Sequence, residues 1–198
     1  MKNLAIGSKI PYIFFLLALF LFNGLIFITP LVASQDAAAG DLLYLAFAPT
    51  CHQLTSRSLC LFKSNDGKMS MGDCLPSSEF SSTRVNEIAY ADKTAYKFPV
   101  CARDVAIYLA MLAGLLALPF IQKIGSEDWP DKWILVAAAV PTAIDGGTQL
   151  LALRESSNLL RIITGAIIGV ALPFYILPML NSLYAFMLEK TQKGKKNK

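Results

Sequence analysis

The stretch APTCHQLTSRSLC at residues 48–60 gathers a thiol, an imidazole and a guanidinium from Cys51, His52 and Arg57, beside Gln53 and a second cysteine, Cys60. His52 is the one histidine of the chain. A second stretch, FPVCARDVAIY, sets Cys101 and Asp104 three residues apart with Arg103 between them. At helical spacing Cys101 and Asp104 share a face, and a helix N-terminus favours both thiolate and carboxylate. Thiolate, imidazole and carboxylate are zinc ligands. Cys51, His52, Cys101 and Asp104 therefore form the expected metal set, with zinc the expected ion.

Two polar stretches interrupt apolar surroundings. PTAIDGGTQ places Asp145 and Gln149 on one helical face, with Thr148 close by, and Pro141 and Gly146-Gly147 weaken the helix around the carboxylate. A carboxylate inside an apolar span is expensive unless it meets a partner or water, so Asp145 joins His52 as an expected acid or base. The alternative is an aspartate that pins its helix to a neighbour through Arg161 or Thr164. LALRESSNLLRIITG then carries Arg154, Asn158 and Arg161, which a continuous helix would align. Guanidiniums so placed fork onto phosphate or carboxylate. Arg57, Arg103, Gln149, Arg154, Asn158 and Arg161 make up the expected substrate-binding set.

The elements that must position these residues are read from apolar runs. Hydrophobic residues are 55% of the chain and charged ones 16%, against about 45–50% apolar usage in a soluble domain. The expected fold class is all-α: a polytopic integral membrane protein with four transmembrane helices at about 11–33, 105–121, 133–153 and 159–187. The first run exceeds the roughly 7–15 residues of a signal core, so it is expected to stay as a helix. The last is expected to tilt or bend at Pro173 and Pro178. Lys2, Lys9, Lys123, Lys132 and the basic tail 188–198 put both termini in the cytoplasm by the positive-inside rule, in a multi-pass cell-membrane protein. Trp129 and Trp133 suit an aromatic belt on that side. The segment 34–102, with all four cysteines, is then an extracytoplasmic loop region that permits disulfides. It is expected to open with a short amphipathic or re-entrant piece at 41–49 and to continue as an exposed excursion at 63–97. Ala110 with Gly114, and Gly165 with Gly169, have the spacing that lets membrane helices approach closely. The expected partners are the bilayer and anionic lipid headgroups or a lipid-linked substrate, with no nucleic acid.

Read together, these stretches resemble a family of small prokaryotic membrane proteins known only as a domain of unknown function. Its pattern is CHQ-x-x-x-RS, CAR-C-x-x-IY, DG-x-TQ and RES-x-N-x-LR-x-x-TG. The matching residues are Cys51, His52, Gln53, Arg57 and Ser58; Cys101, Ala102, Arg103, Ile107 and Tyr108; Asp145, Gly146, Thr148 and Gln149; and Arg154, Glu155, Ser156, Asn158, Leu160, Arg161, Thr164 and Gly165. The resemblance implies no activity. Two departures stand out: Asp104 replaces the family's second cysteine, and a longer link carries Met69, Met71 and Cys74, with Cys60 before it. Cys60 and Cys74 fall outside the family pattern and are expected to form a disulfide, contributing about 3 kcal/mol in the loop-entropy model.

Four functions follow as expectations. The first is a metal-dependent hydrolysis or transfer on a lipid headgroup or lipid-linked phosphate at the extracytoplasmic face. The second is a transporter or lipid translocase built around Asp145 and Gln149, and the third a membrane thiol oxidoreductase that passes electrons to quinone. The last is a disulfide-stapled bundle whose polar residues lock helices together.

Overall fold

The computed structural model describes residues 9–51, 53–75 and 85–196, so Lys2, His52 and the end of the basic tail lie outside the described residues. The chain is mostly helical and carries one small sheet. Helix α1, Ile10–Ala33, has no charged residue and starts with Pro11, whose missing N–H falls where a helix leaves N–H groups unpaired anyway. Asp36 then caps α2, Ala37–Phe47, accepting from the N–H groups of Ala38 and Ala39 at 3.0 and 3.2 Å. Glycine is required at the reversal between them, since a Cβ on Gly40 would lie 2.7 Å from Ala33.

The segment expected to be a loop folds into a sheet, which corrects the all-α expectation. Strands β1 (Leu59–Ser64), β2 (Met69–Asp73), β3 (Glu87–Ala89) and β4 (Lys93–Lys97) pair antiparallel in the order β2-β1-β4-β3. Alternation does the work in β1: Cys60 and Phe62 point into a small core with Cys74 and Ala95, while their neighbours do not. A turn with Gly67 at φ 82° joins β1 to β2. Cys60 and Cys74 are joined by a disulfide across Cα atoms 4.9 Å apart. Met69 and Met71 are exposed.

The remaining helices are α3 (Ala102–Ile121), α4 (Lys132–Leu150), α5 (Asn158–Ala171) and α6 (Pro173–Lys196). Among the described residues, three helical runs are long and apolar enough to cross a membrane: α1, α3 and the Asn158–Lys193 run formed by α5 and α6. Helix α4 is not among them, because its second half, PTAIDGGTQL, is polar. Length and hydropathy thus mark three of the four expected spans, and α4 is a helix of a different kind. The last expected span breaks where Pro173, lacking an N–H, starts α6. Helix α6 continues well past Met187, so most of the expected solvated tail is helical.

Leu19 of α1, Met111, Leu115 and Leu118 of α3 and Leu177 of α6 form one apolar core. A second joins Ile26, Phe47, Phe98, Val100 and Val105, tying the end of α1 to α2 and to the start of α3. Outside these cores the helices are covered in exposed aliphatic and aromatic side chains, among them Phe14, Phe20, Leu116 and Phe120. Such a surface belongs in lipid.

Small residues bring α3 and α5 together. A Cβ on Gly165 would lie 2.6 Å from the carbonyl oxygen of Arg103, and one on Gly169 2.5 Å from that of Ile107 and 2.8 Å from Ala110. Gly114 meets Val170 in the same way, at 2.6 Å. Both spacings read from the sequence lie at this contact.

Candidate functional site

The site forms at the end of the helices where α3 and α5 begin. Its first wall is the connection from α2 to the sheet. Gln53 holds a left-handed backbone at φ 54°, a conformation that costs a non-glycine residue unless its surroundings impose it. Two contacts of Gln53 impose it, and a third ties their partners together. The Gln53 side chain donates to the Tyr44 carbonyl at 2.8 Å, the fully buried Lys97 ammonium donates to the Gln53 carbonyl at 2.7 Å, and the Tyr44 hydroxyl donates to the Lys97 carbonyl. Burial pushes the Tyr44 hydroxyl well above its ordinary pKa, so it stays a donor. The Gln53 N–H then lies 3.5 Å from the Cys51 sulfur.

The second wall is the start of α3. Cys101 is the N-cap residue, and its thiol lies 3.0 Å from an Asp104 carboxylate oxygen one turn on. One donor atom each from Cys51, Cys101 and Asp104 lie within 4.8 Å of one another. Neither cysteine is bridged. A hydrogen bond from the Cys101 thiol lowers the Cys51 pKa. That bond, burial and the Asp104 charge push Cys101 well above the ordinary thiol range. Cys51 is therefore the sulfur that ionises first.

These groups open onto a cavity of about 260 Å³, which Arg57, Arg103, Arg161 and Gln149 also line. Behind it stands a knot of charge around the buried Asp145. Arg103 pairs with one of its oxygens, Arg154 donates to the other at 2.8 Å, and the Ser156 hydroxyl adds a third bond at 2.9 Å. Helix α4 exists in this form because of that knot. It buries only Asp145 and Gln149, and turns Ile134, Val136, Val140 and Ile144 outward.

The six expected substrate residues separate accordingly. Arg57, Arg103, Gln149 and Arg161 line the cavity, whereas Arg154 and Asn158 do not. Arg154 precedes α5 and reaches Asp145 and Thr148, so the expected helical alignment with Arg161 fails. Asn158 spans the Ser58 carbonyl, Asp73 and Arg161, fastening α5 to the sheet. Asp145, expected as an acid or base, lies behind Arg103 with both oxygens engaged, which favours the pinning alternative with different partners. The expectation for His52 lies outside the described residues. Sequence reasoning assigned no role to Glu155 or Ser156, although both stand in the RES stretch, and it overlooked Lys97.

The family model described as predicted membrane protein (DUF2085) matches residues 93–175. An uncharacterized protein of Methanocaldococcus jannaschii, MJ1492, is 36% identical over 137 residues, covering 69% of this chain and 67% of the relative. The chain belongs to DUF2085. An uncharacterized protein of Methanothermobacter thermautotrophicus is 40% identical over 77 residues, which are 38% of this chain and 66% of that one. No solved structure matches. In this DUF2085 member the matched segment holds Cys101, Arg103, Asp104, Asp145, Gln149 and Arg161, while Cys51 and Arg57 precede it. The helical half of the site thus lies inside the family segment.

Proposed function

We propose that the cavity is a metal-assisted site at the extracytoplasmic membrane surface, acting on an anionic group of a lipid or lipid-linked substrate by hydrolysis or transfer. The observation that carries this reading is the cluster of Cys51, Cys101 and Asp104 donors within 4.8 Å, in one cavity with three arginines. Two sulfurs bound to one zinc ion sit about 3.8 Å apart at the usual Zn–S length, so the donors need only close slightly. Two thiolates and a carboxylate leave a fourth position, and an ion there would supply a Lewis acid and an activated water. The arginines would hold the substrate anion and the charge that builds on it. Asp145 acts in this reading as a positioning residue for Arg103. Lys123 and Lys132 at the opposite end support the outward orientation through the positive-inside rule, and α4 crosses beside α5 with its polar residues turned inward.

The closeness and unequal ionisation of the two thiols favour a second reading, a dithiol–disulfide couple. Cys51 and Cys101 would give up two electrons and two protons to a quinone, forming one disulfide and one quinol.

Metal analysis of the purified, reduced chain decides between them. About one zinc per chain, lost in both Cys51→Ser and Cys101→Ser, is expected. Metal-free protein in reduced and oxidised preparations alike, with a Cys51–Cys101 disulfide formed on adding quinone, would replace the first reading by the second.

A further inference from the structure

Four guanidiniums, Arg57, Arg103, Arg154 and Arg161, stand against three carboxylates, Asp104, Asp145 and Glu155; Arg57, Arg103, Arg161 and Asp104 line the cavity, while Arg154, Asp145 and Glu155 pair with lining residues or with one another beside it. Asp145 occupies Arg103 and Arg154. Among the described residues, the carboxylate left to Arg57 and Arg161 is Glu155, and it serves them poorly: its oxygens lie 3.7 Å from Arg57 and 3.6 Å from Arg161, beyond hydrogen-bonding reach. Among the described residues its close contact is the Gln149 amide at 2.8 Å.

Arg161 is 3% exposed, and among the described residues its side chain donates one hydrogen bond, to Asn158 at 2.7 Å. The Nε groups of Arg57, Arg103 and Arg161 are buried without a hydrogen-bond partner among the described residues. Buried charges that remain this incompletely paired are costly, and all three side chains line the same cavity. A single half-exposed carboxylate between two guanidiniums has the charge of a bound anion but too few oxygens to satisfy the forks around it.

We propose that the Glu155 carboxylate occupies an oxyanion subsite of Arg57 and Arg161, whose ligand is a phosphate group that displaces it. A tetrahedral dianion offers more oxygens and more charge than a carboxylate, which matches several converging guanidiniums. The volume of about 260 Å³ is below the roughly 300–1,000 Å³ of sites for drug-sized ligands, so it admits a headgroup and leaves any lipid tail outside. Glu155 belongs to the connection between α4 and α5 and its side chain is 43% exposed, so it gives way to a ligand without disturbing a core. The proposal deepens the function given above and rests on it only for the cavity.

The test is calorimetric titration of the full chain in detergent, with inorganic phosphate and with a short-chain phosphatidic acid kept below its micelle concentration. Glu155→Gln is expected to bind about fivefold tighter, the size of one partly exposed ion pair removed from competition. Arg57→Gln is expected to bind about tenfold more weakly. Arg57 is chosen because its side chain is 30% exposed, so its replacement does not empty a core. Binding of phosphatidic acid alone assigns the subsite to a headgroup, and equal binding of both probes assigns it to the phosphate ion. Silence of both probes, an unchanged or weaker Glu155→Gln, or an unchanged Arg57→Gln overturns the proposal. Zinc content is read on the same samples. Metal-free protein that shows these variant effects keeps the subsite and removes the metal centre, and zinc-loaded protein indifferent to phosphate does the reverse.

Discussion

Asp145 shows how differently one residue reads as a letter and as a contact. Its expense inside an apolar segment is visible in the sequence, but its meaning depends on Arg103, which is 42 residues away on another helix. Once paired with Arg103 and Arg154 and bonded to Ser156, it has no oxygen left to carry protons for chemistry in the cavity. Its loss would leave two guanidiniums without their counter-ion. Asp145→Ala is accordingly expected to cost about 3–5 kcal/mol, the range for breaking a buried pair from one side. Arg154→Ala should cost at most about 1 kcal/mol, because that side chain is 42% exposed and water screens it. Unfolding of both variants in detergent measures the difference. Equal losses would mean that the knot is not held from the aspartate. Glu155 and Lys97 were illegible for a related reason: a surface glutamate and a strand lysine look ordinary until their partners, 98 and 44 residues away in the chain for Arg57 and Gln53, come into view.

Among the elements, the helices were largely legible because apolar length acts locally, and the glycine spacings of α3 and α5 did mark their contact. The sheet was not. Its central pair joins β1 to β4, although β2 and β3 lie between them in the chain and sit at opposite edges, and its strands of three to six residues are too short and too mixed in polarity to stand out by period. Helix α4 misled in the opposite direction, as an apolar run whose buried face is polar. The α3–α5 contact makes a sharper test of which glycines matter. Glycine in a helix interior costs about 1 kcal/mol relative to alanine. Gly24→Ala, with no atom within 4 Å of the new Cβ, is therefore expected to be neutral or to raise the melting temperature. Gly169→Ala should lower it, since its Cβ would meet the Ile107 carbonyl oxygen at 2.5 Å and Ala110 at 2.8 Å. The separation of α3 from α5 would also carry Arg103 away from Arg161, so Gly169→Ala should weaken ligand binding as well as stability. Gly24→Ala should leave binding unchanged, and thermal melts with titrations on the two variants check both statements.

For the whole molecule, the question is on which side of the bilayer the cavity opens and whether α4 crosses. Geometry constrains the answer. Arg154, just after α4, must reach Asp145 and stand near the start of α3, whereas Tyr175 of α6 donates to the Asp131 carbonyl just before α4 and Asn181 donates to the connection after α3. The two ends of α4 therefore belong to opposite ends of the bundle, although its hydropathy alone does not mark it as a span. In a bilayer this is workable because the lipid-facing side is Ile134, Val136, Val140 and Ile144, while Asp145 and Gln149 are satisfied inside. Single cysteines at exposed Lys68, Lys123 and Leu153 report all three levels at once. With a membrane-impermeant thiol reagent on intact cells, Lys68→Cys and Leu153→Cys are expected to label above the parent chain, and Lys123→Cys only after permeabilisation. The inverse pattern would keep the four crossings and turn the cavity towards the cytoplasm, where lysine-rich connections would then face outward against the usual charge bias. Labelling of Leu153→Cys together with Lys123→Cys would mean that α4 does not cross. Asp145 would then sit on the wrong side to reach Arg103, and the ion pair that holds Arg103 at the cavity could not form.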